Sequence, residues 1–140
     1  DVCLKPAVVG LLRSPVPGRY YRVPGSEEGI AGTLLTETEV FRRIEGYDEA
    51  YESFGHEDID LVNRMDLVGS SLEPLDKSVL RHIPHGDELR VQFFEVKDRN
   101  FNNVINTAYG NLRLEVHRVS GVYPSIDVRR QSSAADLQVG

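Results

Sequence analysis

Proline and glycine divide this chain into short elements, and that punctuation limits the fold more than any other feature of the sequence. Ser14-Pro15-Val16-Pro17-Gly18 cannot continue a helix or a central strand. The apolar residues 2 to 12 before it show little periodicity and read as a strand ending in that turn. Arg19 to Val23 is a short β segment closed by the Gly-rich, acidic loop Pro24-Gly25-Ser26-Glu27-Glu28-Gly29. Further breaks at Gly46, Pro84, Gly86 and Gly110 leave room only for a mixed α/β arrangement of short strands and about three helices.

Thr36 and Glu39 have the spacing of a capping box and predict a helix over Glu37 to Ile44, stopped at Gly46. Asp58, Leu61, Val62 and Met65 fall at i, i+3, i+4 and i+7, which predicts a second helix with one face inward. Glu57 and Asp58 sit in its first turn, favourable beside the positive end of the helix dipole. Ser71 to Leu75 and Ser78 to Ile83 read as two strands parted by Asp76-Lys77. Asp98 is placed to cap a third helix through Phe101, Val104, Ile105 and Ala108, ending at Gly110. Leu112 to Val119 alternates apolar with polar and fits either a strand or a continuation of that helix.

With 140 residues, 40% hydrophobic and 27% charged, the chain fits one globular domain. A net charge of −6 lacks the Lys/Arg surplus that phosphate neutralisation needs, so nucleic acid is not an expected partner. The longest apolar runs, such as Ala7 to Leu12, fall far short of the ~20 residues of a membrane helix. Cys3, the single cysteine, excludes an internal disulfide and a Cys-rich zinc site, which suggests a reducing, cytoplasmic setting. Residues 1–123 are expected to form one segment, with 124–140 a flexible C-terminal tail that loses apolar periodicity.

Functional side chains are densest between Ile44 and Arg64. Tyr51 and Phe54 are flat rings that can stack on a pyranose, Gly55 lets backbone approach, and the carboxylates Glu57, Asp58 and Asp60 can accept hydroxyl protons. The same carboxylates could equally do no more than favour a helix N-terminus. The pattern Phe41-x-x-Ile44-x-Gly46-Tyr47-Asp48-Glu49-x-Tyr51, followed by Gly55-x-Glu57-Asp58-x-Asp60-Leu61 and Arg64, resembles the acceptor-binding segment of GT-A glycosyltransferases. That segment is shared by the galactosyltransferase C-terminal module and many family 2 enzymes. Gly32-Thr33-Leu34-Leu35 fits the strand that precedes it, and the resemblance covers about residues 28 to 106.

The resemblance implies a hexosyltransferase of inverting mechanism, with a nucleotide-sugar donor and a carbohydrate acceptor. Asp58 would be the catalytic base and Glu57 a catalytic ligand of the acceptor sugar, with Tyr51, Phe54, Gly55, Asp60, Arg64 and Arg90 in substrate binding. Asp58-Ile59-Asp60 has the form Asp-x-Asp, but the metal-binding pair of those enzymes ends a hydrophobic strand, whereas this one opens a helix. His82, with His85 as the second choice, resembles the histidine that such enzymes give to a Mn²⁺ or Mg²⁺ ion. Alone, His-x-x-His is a weak signal, and no third ligand at helical spacing supports a metal hydrolase.

A complete GT-A domain is longer than this chain, and the strand-end Asp-x-Asp of its nucleotide-binding half has no counterpart here. The expected fold is therefore the C-terminal part of a GT-A (nucleotide-diphospho-sugar transferase) fold, its N-terminal half absent or incomplete. A sequence that opens at Asp1 without Met agrees with a piece of a longer enzyme, inactive without that half. The competing expectation is a non-catalytic carbohydrate-binding or interaction module derived from a glycosyltransferase.

Overall fold

The structure is a computed structural model that describes residues 2–6, 8–13, 15–24, 30, 32–83 and 86–123. The predicted loop from Pro24 to Gly29, apart from Pro24, and the predicted tail 124–140 lie outside the described residues. In chain order the elements are β1 (Val2–Leu4), α1 (Val8–Arg13), β2 (Arg19–Arg22), β3 (Leu34–Thr36), α2 (Thr38–Arg43) and α3 (Glu57–Leu67). They continue with β4 (Ser71–Pro74), a 3₁₀ turn (Lys77–Val79), β5 (Leu80–His82), α4 (Asp87–Val91) and α5 (Arg99–Ser120). Two compact units form, Asp1–Gly46 with Val62–Leu89 and Tyr47–Leu61 with Arg90–Gly140.

The first unit carries both sheets. β2 is central in a three-stranded sheet of order β3-β2-β4, antiparallel to β3 (Tyr20↔Thr36) and parallel to β4 (Tyr20↔Leu72). Its adjacent Tyr20 and Tyr21 point to opposite sides and both are buried, so β2 is covered on both faces. The Tyr20 hydroxyl donates to Asp66 at 2.9 Å; burial first and then that carboxylate push its pKa up to about 12. A second pair, β1 with β5, brings Leu4 opposite Leu80, and Val2, Leu75 and Val79 pack against the core residues Val23, Ile30 and Leu80.

Two local expectations for this unit are corrected. The apolar stretch after β1 is a helix, because Pro6 ends the strand and its fixed φ suits a first helical turn; Val8 and Val9 N–H groups donate to the Lys5 and Pro6 carbonyls. The Thr36–Glu39 capping box does not form. Thr36 is held in β3 opposite Tyr20, so the N-cap falls on Glu37, which makes no side-chain cap. The Glu37 carboxylate instead accepts the Gly18 N–H at 3.2 Å.

The end of α2 is where the sequence expected it. Glu45 N–H reaches the Arg42 carbonyl and Gly46 N–H the Phe41 carbonyl, both at 3.0 Å, the paired bonds of a Schellman ending. Glu45 and Gly46 are both left-handed, with φ of 63° and 69°.

α3 runs over 11 residues with Leu61 and Met65 fully buried, as the i, i+4 pattern requires. In the second unit Asp98 caps α5, its carboxylate accepting the Asn100 and Phe101 N–H groups at 3.0 Å. Asp98→Ala is expected to cost about 0.5–2 kcal/mol, the usual worth of an N-cap, read as a lower melting temperature.

α5 does not stop at Gly110. It runs 22 residues to Gly121, whose left-handed φ of 71° ends it. Leu112 to Val119 is thus helix, and most of its apolar positions are exposed, Leu112 and Val119 by 63% and 74%, while Asn102, Asn106, Gly110 and Arg113 are buried. α4 was not foreseen. Among the described residues no helix is long and apolar enough to cross a membrane.

Candidate functional site

The inward face of α5 is polar because it meets backbone and charge. Asn102, Asn106, Gly110 and Arg113 recur at helical spacing, and the loop that opens at Tyr47 and leads into α3 lies against them. Asn106 Nδ2 donates to the Glu52 carbonyl at 2.9 Å and to the Phe54 carbonyl at 3.2 Å. These two carbonyls belong to an irregular segment with no ladder partner, so a side-chain amide takes that part.

Gly110 opens a notch in the helix. A Cβ there would fall 2.3 Å from His56 Nε2 and 2.8 Å from the Tyr51 hydroxyl, closer than real side chains approach. This is why a residue that costs about 1 kcal/mol in a helix interior is present and does not end the helix. Tyr51 stands edge-on to Tyr109 at 5.1 Å between centroids and tilted toward His56 at 6.0 Å. Burial first, and then the Asp60 charge, raise the Tyr51 pKa, against the opposing effect of Arg113.

Arg113 is the charged centre of the cluster. Its Nη1 binds the Asp48 carboxylate and lies 3.1 Å from Asp60 Oδ1, all three side chains being buried. The guanidinium also lies over the Tyr123 and Tyr109 rings, 4.6 and 5.3 Å from their centroids. Burial opposes its charge, but Asp60, Tyr123 and Asp48 together raise its pKa. Tyr123 donates its hydroxyl to Asp60 at 2.5 Å and Tyr109 donates to Asp48 at 3.3 Å. Asp48 also accepts the Ala50 N–H at 3.0 Å, which turns the chain into the loop.

The loop between these anchors is conformationally unusual. Ser53, Gly55 and His56 have φ of 65°, 99° and 74°, left-handed values that two non-glycine residues rarely adopt so close together. Gly55 is needed there for space as well, since a Cβ would lie 2.5 Å from Asn103 Oδ1. The turn ends at His56, whose carbonyl accepts the Asp60 N–H at 3.0 Å and so opens α3.

That arrangement delivers Glu57 and Asp58 side by side in the first turn of α3, both half-buried. Asp58 Oδ1 accepts the Ile59 N–H at 2.9 Å. The Glu57 carboxyl is pushed up, first by burial and also by the Asp58 charge, against the backbone N–H groups of Glu57 and Gly55. A neighbouring pair of carboxyls with one raised pKa is a common arrangement for proton transfer.

Burial pushes the His56 imidazole down, partly offset by Asp60 and Asp58. Its folded pKa lies below its unfolded value near 6.5, so below that pH the unfolded chain takes the proton first. The buried imidazole's contribution to stability is therefore complete above pH ~6.5 and is lost as pH falls toward the folded value. An NMR titration of His56 should give a midpoint below 6.5; one at or above it would contradict the buried, neutral ring.

The other residues expected at the site fall as follows. Asp60 is tied to Arg113 and Tyr123. Phe54 has the Arg99 guanidinium over its ring at 4.4 Å, and Tyr51 is packed within the aromatic cluster, so both rings serve the chain's own packing. Arg64, in the first unit, donates from its buried Nη1 to the Ile44 and Gly46 carbonyls at 2.5 and 2.6 Å, closing the end of α2. His82 is half-buried in β5, while His85 and the side chain of Arg90 lie outside the described residues.

Among the described residues no group of three or more His, Cys, Asp or Glu side chains converges. His82 thus brings a single imidazole, which is too little for a hard divalent ion. The second carboxylate of Asp58-Ile59-Asp60 is already neutralised by Arg113. Among the described residues no metal set is formed.

Asn106, Gly110 and Arg113 are residues that sequence reasoning missed, as it did Tyr123, while Asp48 stood in the motif without a role of its own. The signal was the run of Asn, Asn, Gly and Arg at helical spacing in a helix otherwise rich in exposed apolar residues.

No curated protein and no solved structure matches the chain. The family described as the N-terminal domain of galactosyltransferase matches residues 18–86, just under half of the sequence. The matched residues contain Phe41 to Arg64 and stop short of α5, and the description speaks of an N-terminal domain, so the match does not reach the assignment to a C-terminal GT-A half. What residues 18–86 do carry is a similarity to that galactosyltransferase domain, which relates this part of the chain to the glycosyltransferases.

Proposed function

We propose that the chain is the acceptor-side part of an inverting, GT-A-type hexosyltransferase, in which Asp58 is the base and Glu57 binds the acceptor sugar. The observation that supports this reading most is the first turn of α3, where two adjacent carboxyls are presented by a turn of unusual backbone shape. An acceptor hydroxyl held within about 2.6–3.2 Å of Asp58 transfers its proton to that carboxylate as its oxygen attacks the anomeric carbon. The new C–O bond forms as the bond from that carbon to the phosphate oxygen breaks, and the nucleoside diphosphate leaves with the electron pair. Glu57, with its raised pKa, can hold the acceptor through a second hydroxyl. Catalysis by this chain alone is not expected, because the donor needs a nucleotide-binding half.

The test is titration of the ¹⁵N-labelled chain with monosaccharides, galactose, glucose and their N-acetyl amines in turn. Shifts confined to the amides of residues 51–60 are expected. Their absence with every sugar overturns the reading, and sugar binding that survives Glu57→Gln/Asp58→Asn unchanged removes the two carboxyls from it. Transfer by the unaided chain would overturn the need for a separate donor half.

A further inference from the structure

We propose that Arg113 is a positioning residue for the Glu57–Asp58 pair, acting as a pin that joins the two ends of the loop carrying them. The inference rests on the acceptor role proposed for that pair. Asp48 stands where the loop begins and Asp60 in the helical turn where it ends, and one guanidinium holds both. Arg113 touches neither Glu57 nor Asp58 through these bonds; it fixes the anchors between which they are carried.

Three observations support the pin. The loop contains left-handed Ser53 and His56, conformations that persist only where the surroundings over-determine them. The surroundings here are residues of α5: Asn106 at the middle of the loop, Gly110 under His56, and Arg113 at both ends. The pin is also directional. A single guanidinium nitrogen, Nη1, meets both carboxylates at once, and the guanidinium is packed against the Tyr109 and Tyr123 rings. Lys keeps the charge, but its nitrogen sits one bond closer to the backbone than Arg113 Nη1 and it has no flat group to pack against the two rings, so it is held less firmly between the anchors.

A role in general stability would weaken the whole unit, whereas a pin acts first on the loop. Backbone amide exchange in the ¹⁵N-labelled chain separates the two. Arg113→Lys should leave the β2 and β3 amides as protected as in the wild type while the Ser53 to Asp58 amides exchange at least about tenfold faster. Because removing the cation leaves buried carboxylates, the second variant is the neutral set Asp48→Asn/Asp60→Asn/Arg113→Met. It should exchange faster still in the same residues, so that the order runs wild type, Lys variant, neutral set.

In a transfer-competent protein carrying the chain, the Lys variant should lose about 10²-fold in kcat/KM for the acceptor, the scale of a small misplacement, with the donor KM unchanged. Loop exchange that stays at the wild-type rate in a folded neutral set overturns the pin. So does a loss of protection spread evenly over both units. Absence of sugar binding by the wild type would count against the proposed function alone, since the exchange rates still decide the pin.

Discussion

Asp58→Asn should lower turnover by about 10²–10⁴-fold in a transfer-competent protein carrying this chain, the usual contribution of a general base. The amide keeps the shape of the carboxylate and can still accept the Ile59 N–H, so the first turn of α3 should keep its geometry. It cannot take a proton from the acceptor. Donor affinity should be nearly unchanged, because the lost interaction exists only as the hydroxyl attacks. Glu57→Gln gives the contrast, with the acceptor KM rising more than kcat falls if that contact is equal in ground and transition states. A nucleotide-sugar transfer assay with separate saturation of donor and acceptor checks both. Undiminished turnover in Asp58→Asn would remove the mechanism.

Arg113→Met should cost about 3–5 kcal/mol of folding stability, the scale on which breaking a buried ion pair from one side acts. Met fills much of the same volume, so the loss comes from charge rather than from a cavity. Asp48 and Asp60 would remain buried without the guanidinium that neutralises them. Urea unfolding measures the effect as a lower midpoint at similar slope. Adding Asp48→Asn and Asp60→Asn should recover a substantial part of it, since replacing a whole buried ionic set is far milder than orphaning half of one. A shift of less than about 1 kcal/mol, the scale of an exposed pair, would show that the cluster is not the buried centre described above.

Much of this arrangement was legible in the residues themselves. α3 followed from Asp58, Leu61, Val62 and Met65 because one strongly periodic face leaves few alternatives, and the Asp98 cap followed from a side chain that bonds its own neighbours. Gly46 was rightly read as a helix stop. Gly110 was not a stop, because its reason for being glycine lies in His56 and Tyr51, far away along the chain. Thr36 failed as a cap for the same kind of reason: a strand partner, Tyr20, competes for it and local spacing cannot report that competition. The placement of Glu57 and Asp58 in the first turn of α3 was legible because their motif is local. Arg113 was not, since a lone arginine in a helix looks like a solvated charge until the two aspartates it serves are in place. Tyr51 and Phe54, chosen as rings for sugar stacking, also take part in the chain's own packing, with Tyr109 and with Arg99, which a local motif does not report.

The dependence of the Asp48–Asp60 loop on Asn106, Gly110 and Arg113 bears on how such a motif is inherited and moved. The loop's residues do not encode its shape unaided; the template is a helix that begins nearly forty positions after the loop ends. A protein engineer who transplanted residues 46 to 64 onto another scaffold would transfer the letters of the motif and leave its geometry behind. The portable module is the loop together with the α5 template. In related chains, drift at the helix positions matching 106, 110 and 113 would then be as informative about lost function as drift in the motif itself.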